Sequence, residues 1–523
     1  MSAKSLEDKQ IKQLKRYRRK TLTSLVTRAY KLHRKGDKIA MNSLICDEFT
    51  KLGGVYVKFL QGVLLKSSLM RDWQNADRLK IFENLDSEPL DVNSILLHEL
   101  GQTKLKQISA INPTPFAAGS FGQVYFANLA DGSQVVIKVL RPMIRETLAY
   151  DLKLISLFFR AFVKKIYSNV DMNILGALQD FRRSTMRETD YVEEARFANE
   201  LYEAYKGRTD FIIPKTYINL CTPNIIVQEY VDGISCAQLL RIKEQGMDPE
   251  LYVKQNLGSD LKKQLTLLGF EYIRGIFLLP RVQGDPHPGN VKLLSNNRVA
   301  LIDFGISAQS PKEKAAFYGV LRQYERVLRG EIDIPALLGQ FLRFFVSDLY
   351  KAMKKITSML SASDKTNDLA MQMGMVAESN FKKEMGDTDL SSIIENGNIM
   401  TTMNQVVNNG NRFGVIIKLE DTEMLRAAQS YITLVDTLGF KSSVLPEAFK
   451  QGLDYVATER PEYTQETDSN MSANRALEII SKWLERVATR DPQLFKTFVG
   501  KIKKLEKTDV KEEKTKVKVD KLK

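Results

Sequence analysis

Cysteine, histidine and tryptophan are scarce, at three, three and two in 523 residues. The cysteines, Cys46, Cys221 and Cys236, are scattered, odd in number and without a C-x-x-C pair, which argues against a disulfide framework or a thiolate zinc site and points to a reducing compartment. No apolar run approaches the roughly 18 residues of a spanning helix. The longest, LISLFF (154–159) and IFLL (276–279), stop far short. The start, MSAKSLEDKQIKQLKRYRRK, is charged throughout and is followed by no apolar stretch of signal-peptide type. A cytoplasmic protein is expected, with no signal peptide or transmembrane helix. No repeat of roughly 20 to 50 residues is visible, which sets aside solenoids and propellers.

What is present is ordinary globular composition, 43% hydrophobic and 27% charged. The net charge of +14 belongs mostly to the ends: residues 1–20 carry 8 Lys/Arg against 2 acids, and residues 501–523 carry 10 Lys against 5 acids. The body is thus close to neutral, and no nucleic-acid partner is expected. The tail, KTDVKEEKTKVKVDKLK, reads as a solvated, partly disordered charge run. At the other end, Ile11, Leu14, Leu22, Leu25, Val26 and Ala29 fall near one helical face, and Lys12, Lys15, Arg16, Arg19 and Lys20 fall mostly elsewhere. This is the layout of a basic amphipathic helix. It either packs on its own domain with a charged outer face or makes a peripheral contact with an anionic membrane, at the inner membrane face.

Residues 1–105 read as helical, with Gly53-Gly54 leading into VYVKFLQGVLLKSSLM and a further helix over ADRLKIFENL. From about 112 the texture changes. FGQVYFANL and QVVIKVL, separated by Ala130-Asp131-Gly132-Ser133, predict an antiparallel hairpin. Helical patterns follow from 147 to 206, then two short strands, FIIPKTYI and NIIVQEYV. After Asp232-Gly233 the chain is mainly helical, interrupted by VKLL and VALID around Ser295-Asn296-Asn297, and the Gly/Asn-rich ENGNIMTTMNQVVNNGNRFG reads as loops. Strands first and helices afterwards indicate a small sheet-bearing lobe joined to a larger helical one.

The chemistry begins at AAGSFGQV (117–124). Aligned on the kinase pattern G-x-G-x-x-G-x-V, it puts Ala117 at the first glycine and Gly119, Gly122 and Val124 in register. Small residues let backbone N–H groups approach phosphate oxygens; alone, the stretch is equally a plain turn. Sixteen residues after Gly122 comes Val-Ile-Lys138-Val, a lysine alternating with apolar residues on the partner strand, placed to reach phosphates under the loop. In QGDPHPGN (283–290), Asp285 and Asn290 have the separation of a kinase catalytic loop, where the aspartate orients or deprotonates the nucleophile and the asparagine binds metal. Asp303 opens an Asp-Phe-Gly tripeptide at a strand end, where a carboxylate can hold Mg2+. Loop, lysine, D-x-x-x-x-N and DFG occur in order. His287, between Pro286 and Pro288, is expected to rigidify and hydrogen-bond the loop, with a base or metal ligand as the other reading.

Together KFLQ (58–61), AAGSFGQV, VIK, ETDYVEEA (188–195), GDPHPGN and DFG resemble the UbiB family of atypical kinases, also called aarF or ADCK, from about residue 45 to about 455. The resemblance implies an α+β, bilobal protein-kinase-like fold with an N-terminal helical extension and a largely helical C-terminal region. The expected division is 1–105 extension, 106–234 N-lobe, 235–460 C-lobe, and 461–523 helix and basic tail. It implies ATP and Mg2+ as cofactors, a link to ubiquinone and other isoprenoid lipids, and ATP hydrolysis or small-molecule phosphorylation. Lys138 would hold nucleotide phosphates, with Ala117, Ala118, Gly119, Ser120, Phe121, Gly122 and Val124 forming the loop over them. Asn290 and Asp303 would take the metal, and Asp285 the catalytic-loop position. Lys58 and Gln61, three apart on a helix, would reach into the same site. Of Glu188, Asp190 and Glu194, which line the nucleotide site, Glu188 is favoured to pair with Lys138 and Glu194 is the fallback. Glu229-Tyr230-Val231 would be the hinge whose backbone receives adenine.

Two positions depart from the family pattern. Leu60 stands where glycine is usual, and Gly119 where alanine is usual, the latter favouring more conventional kinase behaviour. Gly284 precedes Asp285 where protein kinases have arginine, and no A-P-E follows DFG, which disfavours protein substrates. The sequence therefore predicts a Mg2+-dependent ATP-binding atypical kinase or ATPase acting on, or gated by, an unidentified small or lipid-like acceptor. The competing readings are an ATP-responsive binding or switch protein with incidental turnover, and a metabolite or antibiotic phosphotransferase.

Overall fold

The computed structural model describes residues 3–60, 89–119, 121–166, 172–331, 347–359, 419–465 and 471–490, with isolated positions between 332 and 346 and after 490. The chain forms two compact units, Met1–Ser235 with Asn290–Ser307, and Cys236–Gly289 with Ala308–Lys523. The helix expected over 76–85, the loops around 395–414 and the basic tail lie outside the described residues.

The first unit opens with helices α1 (Ala3–Arg34), α2 (Lys38–Leu52) and α3 (Val55–Phe59). Asp37 caps α2 by accepting from the Ala40 N–H at 3.0 Å. Between α2 and α3, Gly53 and Gly54 both adopt positive φ, 67° and 50°, a backbone conformation that side-chain-bearing residues resist. They turn the chain so that α3 starts afresh against α5 (Ile144–Ile166), with α4 (Val92–Leu105) between in sequence.

The apolar stripe of α1 is spent inside this unit. Leu22, Leu25 and Ala29 are buried in a core shared with Phe49, Phe59, Phe158 and Phe159, and α1 packs against α2 and α5. Of the two readings of the amphipathic helix, packing on its own domain is the one the structure supports for the apolar face.

The main sheet has the order β1 (Ile108–Ile111), β3 (Gly122–Leu129), β4 (Gln134–Leu140), β6 (Ile225–Glu229), with β2 (Ala117–Ala118) on β3. The predicted hairpin forms between β3 and β4, with Gly122 opposite Leu140 and Asn128 opposite Gln134. Strand alternation separates the faces. Tyr125, Ala127, Val135, Ile137 and Val139 point into a second core, whereas Val124, Phe126, Val136 and Lys138 lie on the half-exposed face. Each fully buried aliphatic side chain there contributes about 1.5–3 kcal/mol.

Helices α6 (Met172–Glu188) and α7 (Tyr191–Ala204) follow. A second sheet has the order β5 (Phe211–Ile212), β9 (Val299–Leu301), β8 (Val291–Leu293), β7 (Ile234–Ser235). FIIPKTYI is thus only briefly a strand. Pro214 lacks the donor a ladder needs, β5 pairs with β9, and Thr216 makes an isolated bridge to Gln228. The β8–β9 turn holds Asn296 and Asn297 at φ of 60° and 56°, which asparagine tolerates.

The second unit is largely helical: α8 (Cys236–Glu244), α9 (Pro249–Leu257), α10 (Leu261–Leu278), α11 (Lys314–Leu328), α12 (Ser347–Met359), α13 (Leu419–Leu438), α14 (Lys441–Glu459) and α15 (Ala473–Arg490). Asp248 and Asp260 cap α9 and α10. Buried α10 packs along α14, and the Tyr431 hydroxyl donates to the Leu265 carbonyl at 3.0 Å. Among the described residues no helix is long and apolar enough to cross a membrane.

Candidate active site

Lys138 stands opposite Val124 across the β3–β4 ladder. Its ammonium donates to Glu194 at 2.6 Å and to Asp303 at 3.0 Å. Lys138 and Glu194 are 13% and 5% exposed, whereas the Asp303 side chain is 42% exposed. Burial alone would pull the Lys138 ammonium down. Asp303 and Glu194 more than reverse it and hold the group above its ordinary value. Burial likewise opposes ionisation of Asp303, but Lys138, the Gly305 N–H and Lys58 outweigh it and hold the carboxyl below its usual range. For Glu194 burial wins, and its carboxyl is pushed up in spite of Lys138.

The favoured pairing of Lys138 with Glu188 is therefore corrected: the partner is Glu194, the fallback. The reason is a helix break inside ETDYVEEA. Asp190 caps α7 by accepting from the Glu193 N–H at 3.2 Å, so Glu188 ends α6 while Glu194 sits in the first turn of α7. Asp190, expected among nucleotide-site residues, is assigned this capping bond. Glu188 instead takes an ion pair from Lys58 of α3 and a hydrogen bond from Ser184 at 3.0 Å. Lys58 also lies 5.1 Å from the centroid of the Phe121 ring.

Lys58 is placed by its neighbours. Phe59 is fully buried against Phe49, Phe159 and Phe181, at 6.0, 5.6 and 5.2 Å between ring centroids, and Leu60 is fully buried as well. Two residues before Lys58, the Tyr56 hydroxyl donates to Asp151 at 2.7 Å. The same Asp151 is ion-paired to Arg18 of α1, which also donates to Thr147 at 3.0 Å. Arg18, Tyr56 and Asp151 were missed by the sequence reading, because a lone buried pair leaves no periodic signal. Gln61 lies outside the described residues.

The loop is tight. The Gly119 N–H donates to the Gly122 carbonyl at 2.9 Å, and Arg141 donates to the Gly119 carbonyl at 3.1 Å. Gly122 is required by close approach: a Cβ there would come 2.6 Å from the Val139 oxygen and 2.7 Å from the Tyr191 hydroxyl. At Gly119 a Cβ would meet only the Gly122 oxygen, at 3.9 Å. Ala117, Ala118 and Gly119 are exposed, whereas Phe121, expected over the phosphates, is buried in the core. An aromatic side chain gains more by burial than by exposure on a loop tip, so what Phe121 can offer the loop is its backbone. Ser120 lies outside the described residues.

At the predicted hinge, the Glu229 N–H donates to the Lys215 carbonyl at 2.8 Å and the Tyr230 N–H to the Gln134 carbonyl at 2.9 Å. The Val231 carbonyl accepts from the ammonium of Lys292 at 2.7 Å. Lys292, on β8, is buried and 5.1 Å from the Tyr230 ring centroid. This lysine was also missed; it lies two residues beyond the motif that drew attention.

Asn290 precedes β8 directly, and its carbonyl accepts from the Ile302 N–H at 3.1 Å, which fixes the asparagine backbone against the chain leading to Asp303. Phe304 is buried edge-on to Phe197 of α7 at 6.2 Å between centroids. Asp285 and His287 belong to the second unit, where His287 Nδ1 accepts from the Gly289 N–H at 3.2 Å, the hydrogen-bonding role expected of it.

These residues suit the groups the motifs imply. Asp303 and Asn290 offer oxygen donors, the kind a hard cation takes. Asp303 is ionised and partly exposed. Among the described residues no group of three His, Cys, Asp or Glu is placed to hold a metal ion, so a cation there would complete its shell with phosphate and water oxygens, as Mg2+ does. The open Cβ direction at Gly119 and the apolar half-exposed face of Val124 and Val136 suit a planar base and phosphates.

A lysine held between a helix glutamate and a DFG aspartate, on a five-stranded antiparallel sheet, defines a protein-kinase-like α+β fold. Residues 84–323 match the ABC1 atypical kinase-like domain, so the resemblance to UbiB-type (aarF/ADCK) atypical kinases carried by the motifs is borne out. The chain is similar to Protein ACTIVITY OF BC1 COMPLEX KINASE 1, chloroplastic, of Arabidopsis thaliana, 31% identical over 271 residues, which is 51% of this chain and 37% of that protein. It is also similar to the Probable protein kinase UbiB of Pseudomonas putida, 22% identical over 368 residues, 69% of this chain and 63% of that one. The chain spans well under half the length of the chloroplastic relatives. A solved structure of Rv3197 from Mycobacterium tuberculosis with erythromycin aligns at 18% identity and a TM-score of 0.44, covering 82% of this chain and 92% of that one.

Proposed function

We propose that this chain is a Mg2+-dependent, ATP-binding atypical kinase or ATPase that acts on, or is gated by, a small or lipid-like molecule of the isoprenoid or quinone kind. The observation that carries it is Lys138, kept charged between Glu194 and Asp303 on the half-exposed face of the sheet. Lys138 holds phosphate oxygens and opposes their charge. Asp303 and Asn290 would hold the Mg2+, which when bound neutralises charge on the phosphates. The hinge segment 229–231 and the apolar pair Val124 and Val136 seat the base. Asp285 would take the catalytic-loop role, accepting the proton of the hydroxyl or water whose oxygen bonds to the γ-phosphorus as the bond to the bridging oxygen breaks and ADP leaves.

The test is incubation of the purified protein with Mg2+ and γ-labelled ATP, with and without a cell lipid extract, followed by separation of phosphate, lipid and protein products. Label in phosphate or in a lipid fraction, lost in Asp303→Asn, supports the reading. Tight ATP binding with negligible turnover, unchanged in that variant, would show a nucleotide-responsive switch instead, and label in one polar metabolite would show a metabolite phosphotransferase.

A further inference from the structure

The structure separates the two faces of α1. Arg18, Leu22, Leu25 and Ala29 are turned inward and committed to Asp151 and the aromatic core. At about 100° per residue, Lys9, Lys12, Arg16, Arg19 and Lys20 fall within an arc of about 120° on the opposite side. All five are exposed, and none has an ion-pair partner among the described residues. Asp8 at the margin is the one exposed acid on the described face of the helix. The neighbouring helix does not neutralise the patch, since α5 exposes Arg145, Lys153 and Arg160 against Glu146. Farther along, Arg28 is already paired with Glu48 at 3.2 Å, whereas Lys31, near the same arc, extends the stripe to about 33 Å at 1.5 Å per residue.

We propose that this outer arc of α1 is a docking surface for an anionic lipid bilayer, held by charge and without insertion of the helix. The apolar residues an inserting helix would use are buried in the protein's own core, so the contact is electrostatic. The shape of the surface favours a membrane over nucleic acid. α1 is packed lengthwise on α2 and α5, so it presents a shallow stripe rather than a free helix that can enter a groove.

The test is co-sedimentation of the full chain with neutral phosphatidylcholine vesicles and with vesicles containing phosphatidylglycerol. Binding is expected to the anionic vesicles only, and to vanish near 1 M salt, where charge is screened within about 3 Å. Each basic residue at an anionic surface contributes about fivefold in affinity. The triple variant Lys12→Glu, Arg16→Glu, Arg19→Glu should therefore bind at least about 100-fold more weakly, and the matching Gln variant should show a smaller loss. Both should unfold at the parental temperature, because none of the three side chains is buried. A control with Lys514→Glu, Lys516→Glu and Lys518→Glu in the basic tail should keep most of the binding. Retained binding in the α1 variant, equal binding to neutral vesicles, or duplex DNA held more tightly than the vesicles would each overturn the proposal.

Discussion

Lys138 is held against Asp303 at 3.0 Å while Glu194 takes the other side of the same ammonium at 2.6 Å. Burial makes a second carboxylate beside that one cation costly at Glu194, whose carboxyl is pushed up. A group raised in this way favours the fold below its ordinary pKa of 4.5 and loses that contribution as pH rises through its native value. An ionised carboxylate at Glu194 is thus a cost to the fold, retained for the orientation of Lys138. Glu194→Gln should be neutral in thermal stability or raise it, while kcat/KM for ATP falls about 100-fold. A variant that loses both stability and activity would mean that Glu194 is a structural anchor instead. Lys138 is shifted in the same direction, in a far higher pH window. It is held above 10.5, its contribution is fully present below that value, and it is lost only as pH rises further, so a pH–rate profile should show no alkaline limb from this lysine below about pH 10.

The two loop glycines differ in what they tolerate. At Gly122 a methyl group would collide with backbone at 2.6 Å, and at Gly119 it would make ordinary contact at 3.9 Å. Overpacking of the first kind costs about 1–3 kcal/mol. Gly122→Ala should therefore unfold at lower denaturant concentration and bind ATP more weakly, whereas Gly119→Ala should match the parent in denaturant titration. The second variant also isolates the family's usual alanine from any change of fold, so a difference in its ATP and ADP affinities reports the loop alone.

The parts legible in sequence were those with local signals. The β3–β4 hairpin declared itself by β-branched alternation around Ala130-Asp131-Gly132-Ser133, and Lys138, Asn290 and Asp303 by spacing to glycines and to one another. The choice between Glu188 and Glu194 was not legible. The five residues between them span a helix end and a new cap at Asp190, and helical periodicity does not carry across a break. The burial of the Phe121 ring was not legible for another reason: a loop motif reports backbone requirements and says nothing of where its one large side chain packs. The two readings of α1 could not be separated without α5, because an apolar stripe fits a membrane and a protein core equally well.

Lys292 ties the second sheet to the hinge. Its ammonium donates to the Val231 carbonyl at 2.7 Å, and burial lowers its pKa, partly offset by Asp232. Lys292→Met keeps the bulk but leaves a buried carbonyl without its donor, a loss of about 1–3 kcal/mol. The segment proposed to seat the base should then wander, raising KM for ATP with little change in kcat, and equilibrium binding of a fluorescent nucleotide should weaken in step. An unchanged KM would show that Lys292 serves packing alone.

Tyr56 is the link between α1 and Lys58. Its buried hydroxyl bonds Asp151, which Arg18 holds from the other side, and burial, more than Asp151, keeps the phenol far above its ordinary pKa. Tyr56→Phe deletes that bond and no packing volume, so about 1–3 kcal/mol of stability should be lost. Because α3 has only five residues and carries Lys58 two positions on, the variant should also change kcat and KM for ATP in the same direction as Lys58→Met. Arg28→Ala removes an exposed pair with Glu48, worth at most about 1 kcal/mol, and should change neither constant. If Tyr56→Phe lowers stability and leaves both constants at the parental values, the Arg18–Asp151–Tyr56 set is a core clamp without influence on the site.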